Sequence, residues 1–173
     1  VLNPNDDDKI LYRTINPLPF IPKDKTQYQE IIDIQKFALV KRLKHTNIKE
    51  VVIGVSGGLD STLALLITVA AFDELNIPRK NIKGITMPGF GTTDITYDNA
   101  IKLMMALGIS MEEINIQKAC IRHFTDIGHD PNVHNLVYEN SQARERTQIL
   151  MDKGFVIGTG DLSELALGWC TYN

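Results

Sequence analysis

What this chain of 173 residues lacks narrows its reading first. Its two cysteines, Cys120 and Cys170, have neither CxxC nor zinc-ligand spacing. That argues against a disulfide framework or a thiolate metal site, and leaves reduced, inert thiols of a cytoplasmic protein as the expectation. No apolar run reaches the roughly 20 residues of a membrane span, and no signal-peptide pattern opens the chain, so no membrane partner is expected. Positive charge is short as well: 18 Lys and Arg stand against 21 Asp and Glu, a net −3. Nucleic acid is therefore not expected as the main partner, although a local basic groove is compatible with that balance. No internal repeat is visible. With 43% hydrophobic and 23% charged residues the composition is that of a soluble globular chain. Its length suits one domain that buries about 70% of its unfolded surface.

Proline is sparse after the opening. Pro17, Pro19 and Pro22 prevent regular structure there, and Asn5-Asp6-Asp7-Asp8-Lys9 is a solvated charge run. Residues 1–25 are expected to form an extended arm or linker from something preceding Val1, and residues 26–173 the folded domain.

What is present is concentrated in Val51 to Thr62, followed by Leu63-Ala64-Leu65-Leu66-Ile67. Val51 to Val55 is short, β-branched and apolar, as a buried strand is. Gly57-Gly58 permits φ > 0 and a close ligand approach. Ser56, Ser61 and Thr62 place hydroxyls where a helix begins, and a helix N-terminus attracts anions. The stretch suits phosphate. A Walker A loop is excluded because the turn has no lysine. Gly54-Val55-Ser56-Gly57-Gly58 does match the G-x-S-x-G elbow, which makes a serine hydrolase with Ser56 as nucleophile the rival from another class. Ser56 to Thr62 also match the S-G-G-x-D-S-[TS] loop of the ATP pyrophosphatases at every position. Asp60 favours this last reading. A lone carboxylate repels phosphate unless a divalent cation bridges the two, and the elbow gives Asp60 no task.

Along the rest of the chain, hydrophobic period and punctuation predict helices over Thr26–Thr46, with a capping box Thr26-Gln27-Tyr28-Gln29, and Ser61–Leu75. A strand Ile82–Met87 ends in Met87-Pro88-Gly89-Phe90. A helix capped by Thr93 or Asp94 runs to Leu107 with Gly108 as its stop. A strand Glu112–Ile116, a helix Ala119–Ile127, a polar loop Gly128–Asn135 and a helix Tyr138–Met151 follow. The last elements are a strand and turn over Phe155–Gly160 and a helix Leu162–Leu167 begun by Asp161. The alternation predicts an α/β fold, a doubly wound parallel sheet with helices on both faces. The Ser61–Leu75 helix is apolar nearly all round, so deep burial or packing on a second subunit is expected.

Two further constellations stand out. In Gly158-Thr159-Gly160-Asp161-Leu162-Ser163-Glu164 a second glycine turn precedes a first-turn carboxylate. Glu164 could simply favour the helix dipole, worth about 0.3–1 kcal/mol. Beside Asp60 it reads as a second Mg²⁺ ligand, one carboxylate from each of two strand ends. Asn140, Arg144 and, further round, Arg146 lie near one helical face, and guanidinium groups pair with phosphate in bidentate fashion. His129 and His134 lack metal-ligand spacing, His45 and His123 are ordinary helix residues, and Trp169 alone reads as a core aromatic.

Taken in order, Ser56 to Thr62, Met87-Pro88-Gly89-Phe90, Asn140-x-x-Ala143-Arg144-x-Arg146 and Gly158 to Trp169 resemble the NAD synthetases. More narrowly they resemble the synthetase domain of the long, glutamine-dependent bacterial type, from about Ile15 to Asn173. The resemblance implies an adenine-nucleotide-hydrolase-like fold. It implies ATP-dependent amidation of deamido-NAD through an adenylated intermediate, with ammonia drawn from glutamine by a preceding glutaminase domain, and a homodimer. By the same resemblance Ser56, Gly57, Gly58, Asp60, Ser61, Thr62, Met87 and Thr159 would bind ATP or its pyrophosphate. Asp60 and Glu164 would act in catalysis by holding Mg²⁺, and Asn140, Arg144 and Trp169 would meet deamido-NAD. Other pyrophosphatases of this loop class, such as GMP synthetase or a tRNA-thiolating enzyme, are the nearer alternatives. Two departures from the pattern lead to expectations. Met151-Asp152-Lys153-Gly154 joins helix to strand several residues sooner than the family does, which leads to the expectation of a segment absent between Met151 and Gly154. Thr171-Tyr172-Asn173 ends where the family continues with a catalytic lysine, which predicts a longer chain.

Overall fold

The computed structural model describes residues 18, 21, 22 and 24–168. The expected arm over 1–25 and Trp169 with its neighbours therefore lie almost wholly outside the described residues. Helix α1 spans Lys25–Thr46, β1 Val51–Gly54, α2 Leu59–Glu74, β2 Ile82–Thr86 and α3 Asp94–Leu107. Strand β3 spans Ser110–Glu113, α4 Gln117–Ile127, α5 Leu136–Lys153 and α6 Leu162–Leu167.

The three strands are parallel in the order β1-β2-β3. Val51 lies opposite Ile82, and Lys83 opposite Ser110. A fourth segment joins the far side of β1: Val52 N donates to Phe155 O at 2.8 Å and Ile157 N donates to Val52 O at 2.8 Å. The chain thus winds outward through β2 and β3, then returns to the opposite flank of β1. That reversal places a crevice at the carboxyl end of β1, where open α/β sheets take their ligands.

Side chains alternate across β1 as the pleat requires. Val51, Ile53 and Val55 face a core with Leu43 of α1, Leu65, Val69 and Phe72 of α2 and Ala100 and Met104 of α3. Val52 faces the other way, with Ile85, Met87, Ile116, Cys120, Phe124 and Tyr138. Helices therefore cover both faces, as the sequence predicts. Gly84 lets α3 lie close to the sheet, because a Cβ there would stand 2.5 Å from Met104 Sδ. Burying a side chain such as Phe72 or Phe124 stabilises by about 1.5–3 kcal/mol.

Several expectations need correction. Helix α1 starts at Lys25 on an Asp24 cap, whose carboxylate accepts from Thr26 N and Gln27 N, in place of a Thr26 capping box. Helix α2 begins at Leu59, so Asp60 sits inside the first turn. Of the two expectations for that helix, deep burial all round is the one overturned: Leu59, Leu63 and Leu66 are exposed. Strand β3 begins at Ser110 and ends at Glu113, earlier than Glu112–Ile116. The pairing does trail on, with Ile114 N bonded to Thr86 O and Ile116 N to Pro88 O. Pro88 has no N–H to return, so the regular ladder stops there. The C-terminal strand shrinks to a single bridge, Val52 to Val156. Helix α5 continues through Lys153, and Gly154, with φ +149°, turns the chain onto β1 within one residue.

Candidate active site

The cleft at the carboxyl ends of the strands has a volume of about 740 Å³, within the usual range for small-molecule sites. Its first wall is the loop after β1. Gly57, at φ +83°, makes the turn with its α-carbon against the backbone of α3: a Cβ there would meet Thr96 O at 2.0 Å. The loop then ties itself together with its hydroxyls. Ser56 N donates to Ser61 Oγ at 3.3 Å, Gly58 N donates to Ser56 Oγ at 3.2 Å, and Ser61 Oγ donates to Gly58 O at 3.2 Å. Helix α2 follows without a side-chain cap. Its first N–H groups are thus available to an anion, at a terminus carrying about half a positive charge. Asp60 is exposed in that turn and lines the cleft.

A second wall follows β2. Met87, Pro88, Phe90, Gly91 and Thr92 line the cleft, backed by the α5 face that carries Tyr138, Gln142, Arg146 and Leu150. The rings of Phe90 and Tyr138 lie 5.6 Å apart, and His134 stacks on Tyr138 at 4.3 Å. Arg146 is half-buried, and burial holds its guanidinium below the ordinary value, although an arginine remains charged throughout the working pH range. Burial raises the Cys120 thiol in the adjoining core, as expected of an inert cysteine.

Thr159 and Glu164 close the third side. Here α6 begins on a reciprocal capping box: Asp161 accepts from Glu164 N at 2.7 Å, and Glu164 Oε2 accepts from Asp161 N at 2.9 Å. Glu164 keeps one carboxylate oxygen outside that bond. No cluster of three metal-ligating side chains occurs among the described residues.

Of the residues singled out from sequence, Ser56, Gly58, Asp60, Ser61, Met87, Thr159 and Glu164 come together around the cleft. Gly57 and Thr62 support the loop without lining it. Asn140 and Arg144 are exposed and do not join the lining of the cleft; Trp169 lies outside the described residues. Sequence reasoning grouped Arg146 with Asn140 and Arg144 as a phosphate-pairing set, and gave no site role to Phe90, His134, Tyr138 or Gln142. The signal that joins Arg146 to Tyr138 and Gln142 instead was the spacing of Tyr138, Gln142, Arg146 and Leu150 at every fourth position, one face of a helix. The hydrolase alternative gains nothing: Ser56 Oγ neighbours Ser61 Oγ and Gly58 N, and no histidine bonds to it among the described residues.

Comparison with known proteins then decides the family, since a family model described as NAD synthase matches residues 30–173. The chain belongs to the NAD synthase family. It is 42% identical over 184 aligned residues to a glutamine-dependent NAD(+) synthetase of Mycobacterium tuberculosis, covering 99% of this chain and 27% of the relative. An NH(3)-dependent NAD(+) synthetase of Methanococcoides burtonii is 33% identical over 135 residues, 75% of this chain and 49% of that protein. Among solved structures, the glutamine-dependent NAD+ synthetase of Acinetobacter baumannii, in complex with ADP, superposes with a TM-score of 0.77. That match has 27% identity and covers 88% of this chain and 29% of the other. The resemblance carried by the motifs and the doubly wound α/β fold are both borne out. The chain spans about a quarter of the length of its glutamine-dependent relatives. Among the described residues, no helix is long and apolar enough to cross a membrane.

Proposed function

We propose that this chain is the synthetase part of a glutamine-dependent NAD synthetase, a ligase that forms a C–N bond by amidating deamido-NAD at the expense of ATP. The observation that carries the reading is a hydroxyl-laced glycine loop feeding an uncapped helix N-terminus, with Asp60 and Glu164 lining one cleft. The Acinetobacter neighbour, solved with ADP, supports a nucleotide in this fold.

In the proposed reaction the nicotinate carboxylate of deamido-NAD attacks the α-phosphorus of ATP. A C–O–P bond forms, the α,β-anhydride breaks, and pyrophosphate leaves. Ammonia then attacks the acyl carbon, and AMP departs as a far better leaving group than oxide. The chain's task is to bring two anions together and take up the charge that develops on pyrophosphate. Ser56, Gly57, Gly58, Ser61 and Thr62 form the cradle, directing N–H and O–H donors to pyrophosphate oxygens. Thr159 meets ATP from the opposite side, and Met87 meets its base. Two carboxylates on one cleft, each with an oxygen outside any hydrogen bond, fit Mg²⁺, a hard cation that shares its coordination between protein, water and phosphate. Asp60 and Glu164 would hold that ion, which when bound neutralises phosphate charge. Asn140, Arg144 and Trp169 are assigned to deamido-NAD; the exposure of the first two suits a site on the outer face of α5.

The proposed partners are a glutaminase domain that supplies ammonia and, as a homodimer, a second copy. Ile34 and Phe37 of α1 with Leu63 and Leu66 of α2, all exposed, support an apolar contact surface. A cytoplasmic location is proposed with them. Titration calorimetry with Mg-ATP and then deamido-NAD tests the reading. Binding of both supports it, and binding of neither overturns it. Mg-ATP binding alone would favour another pyrophosphatase.

A further inference from the structure

Five main-chain groups of the turn after β2 are engaged, and four of them are held from outside the turn. Met87 O accepts from Arg146 Nε at 3.2 Å, and Phe90 N donates to Gln142 Oε1 at 3.2 Å. Gly89 O accepts from Gln117 Nε2 at 3.1 Å, and Pro88 O accepts from Ile116 N at 3.1 Å. Only Gly89 N bonds locally, to Thr92 Oγ1. Pro88 has no N–H, and Gly89 has no side chain, so the turn has little with which to hold itself. The fit is close: a Cβ on Gly89 would stand 2.7 Å from Gln142 Oε1 and 2.8 Å from Arg146 Nη2.

Gln142 is only 4% exposed, and a buried amide is costly unless bonded. Its nitrogen donates to Tyr138 O on its own helix, while its oxygen is committed to Phe90 N. Arg146 differs from Arg79 and Arg122, which pair with Asp73 and Asp126. Among the described residues no carboxylate lies within ion-pair distance of Arg146, whose one protein hydrogen bond goes to the turn. Both side chains, one helical turn apart on α5, thus clasp the same four residues.

We propose that Gln142 and Arg146 are positioning residues of the nucleotide site, holding the Met87–Phe90 turn in the shape that the nucleoside end of ATP meets. The proposal rests on the cleft taking ATP. With the phosphates at the start of α2, the nucleoside reaches the wall that carries Met87 and Phe90. Losing the clasp then weakens ATP selectively, because the loop that cradles pyrophosphate is held by its own hydroxyls.

The test titrates the protein with Mg-ATP and, separately, with Mg²⁺ and inorganic pyrophosphate. Gln142→Met, close in shape but without an acceptor, is expected to weaken ATP about tenfold and pyrophosphate less than about twofold. Arg146→Lys, which keeps charge but not the planar fork, is expected to weaken ATP about threefold with the same selectivity, and serves if Gln142→Met does not fold. Amide exchange at Phe90 is expected to quicken in Gln142→Met while that of Gly58 is unchanged. Equal losses for both ligands would mean a general structural role and overturn the proposal, as would unchanged ATP affinity. A wild-type protein that binds pyrophosphate but not ATP would instead overturn the nucleotide reading itself, and this proposal with it.

Discussion

Helices α2 and α6 both follow a glycine-containing turn onto the cleft, and each carries a carboxylate in its first turn, yet their starts are opposite in kind. At α6 two backbone donors are satisfied internally, Asp161 and Glu164 each accepting from the other's backbone N–H. At α2 the cap is Gly58, which has no side chain to offer, and the hydroxyls of Ser56 and Ser61 turn back into the loop. An anion therefore meets the more open set of donors at α2. The two carboxylates differ accordingly: Asp60 is exposed and carries no cap bond, whereas one oxygen of Glu164 is bound to its own helix. One helix start leaves backbone donors open to an anion, and the other fixes a carboxylate at the edge of the cleft.

The sharpest way to break that contrast is to remove the conformation that opens α2. Gly57→Ala is expected to abolish ATP binding and to cost more than about 1–3 kcal/mol in urea unfolding, since backbone strain adds to the clash with Thr96 O. Asp60→Ala is expected next: ATP affinity measured with Mg²⁺ falls by about 100-fold, that measured with EDTA barely changes, and the melting temperature stays close to wild type. Asp161→Ala removes half of the α6 box and is expected to cost about 1 kcal/mol of stability, with a loss of Mg-ATP affinity smaller than that of Asp60→Ala.

The smallest effect concerns a third helix start, that of α1. Hydrogen bonds from the Thr26 hydroxyl and then the Gln27 N–H hold the Asp24 carboxyl below its usual range. Its contribution is therefore complete above the ordinary carboxylate range and fades as pH falls through the lowered folded-state value. Amide exchange at Thr26 and Gln27 is expected to quicken on acidification through that window in wild type. In Asp24→Asn the same amides are expected to exchange without that pH dependence.

These starts also indicate how far the sequence could be read. The β1–loop–α2 unit was legible because β-branching, paired glycines and an apolar helix agree locally. The capped starts at Thr93 and Asp161 were legible for the same reason. Strand β3 was misplaced because its extent is set by pairing with β2 and by the missing N–H of Pro88, a partner's property that Ser110 and Met111 do not carry. On α5, Asn140 and Arg144 drew attention by chemistry, but packing decides rotation. Burying Tyr138, Ser141 and Gln142 turns Arg146 inward and leaves Arg144 outside. Periodicity names the faces of a helix without saying which one meets a cleft whose other walls come from distant segments.

The contact between Gly57 and the Thr96 carbonyl has a mechanical consequence. Thr96 lies in the first turn of α3, whose cap, Thr93, directly follows the Thr92 that accepts from Gly89 N. The loop after β1 is therefore seated on the beginning of one helix, with no spare ångström at the joint. Such a joint has little compliance. A shift of α3 is passed to the phosphate end of the cleft as pressure on a residue that has no side chain with which to yield, whereas the Met87–Phe90 turn meets that helix start through one hydrogen bond and is otherwise held by Ile116, Gln117 and α5.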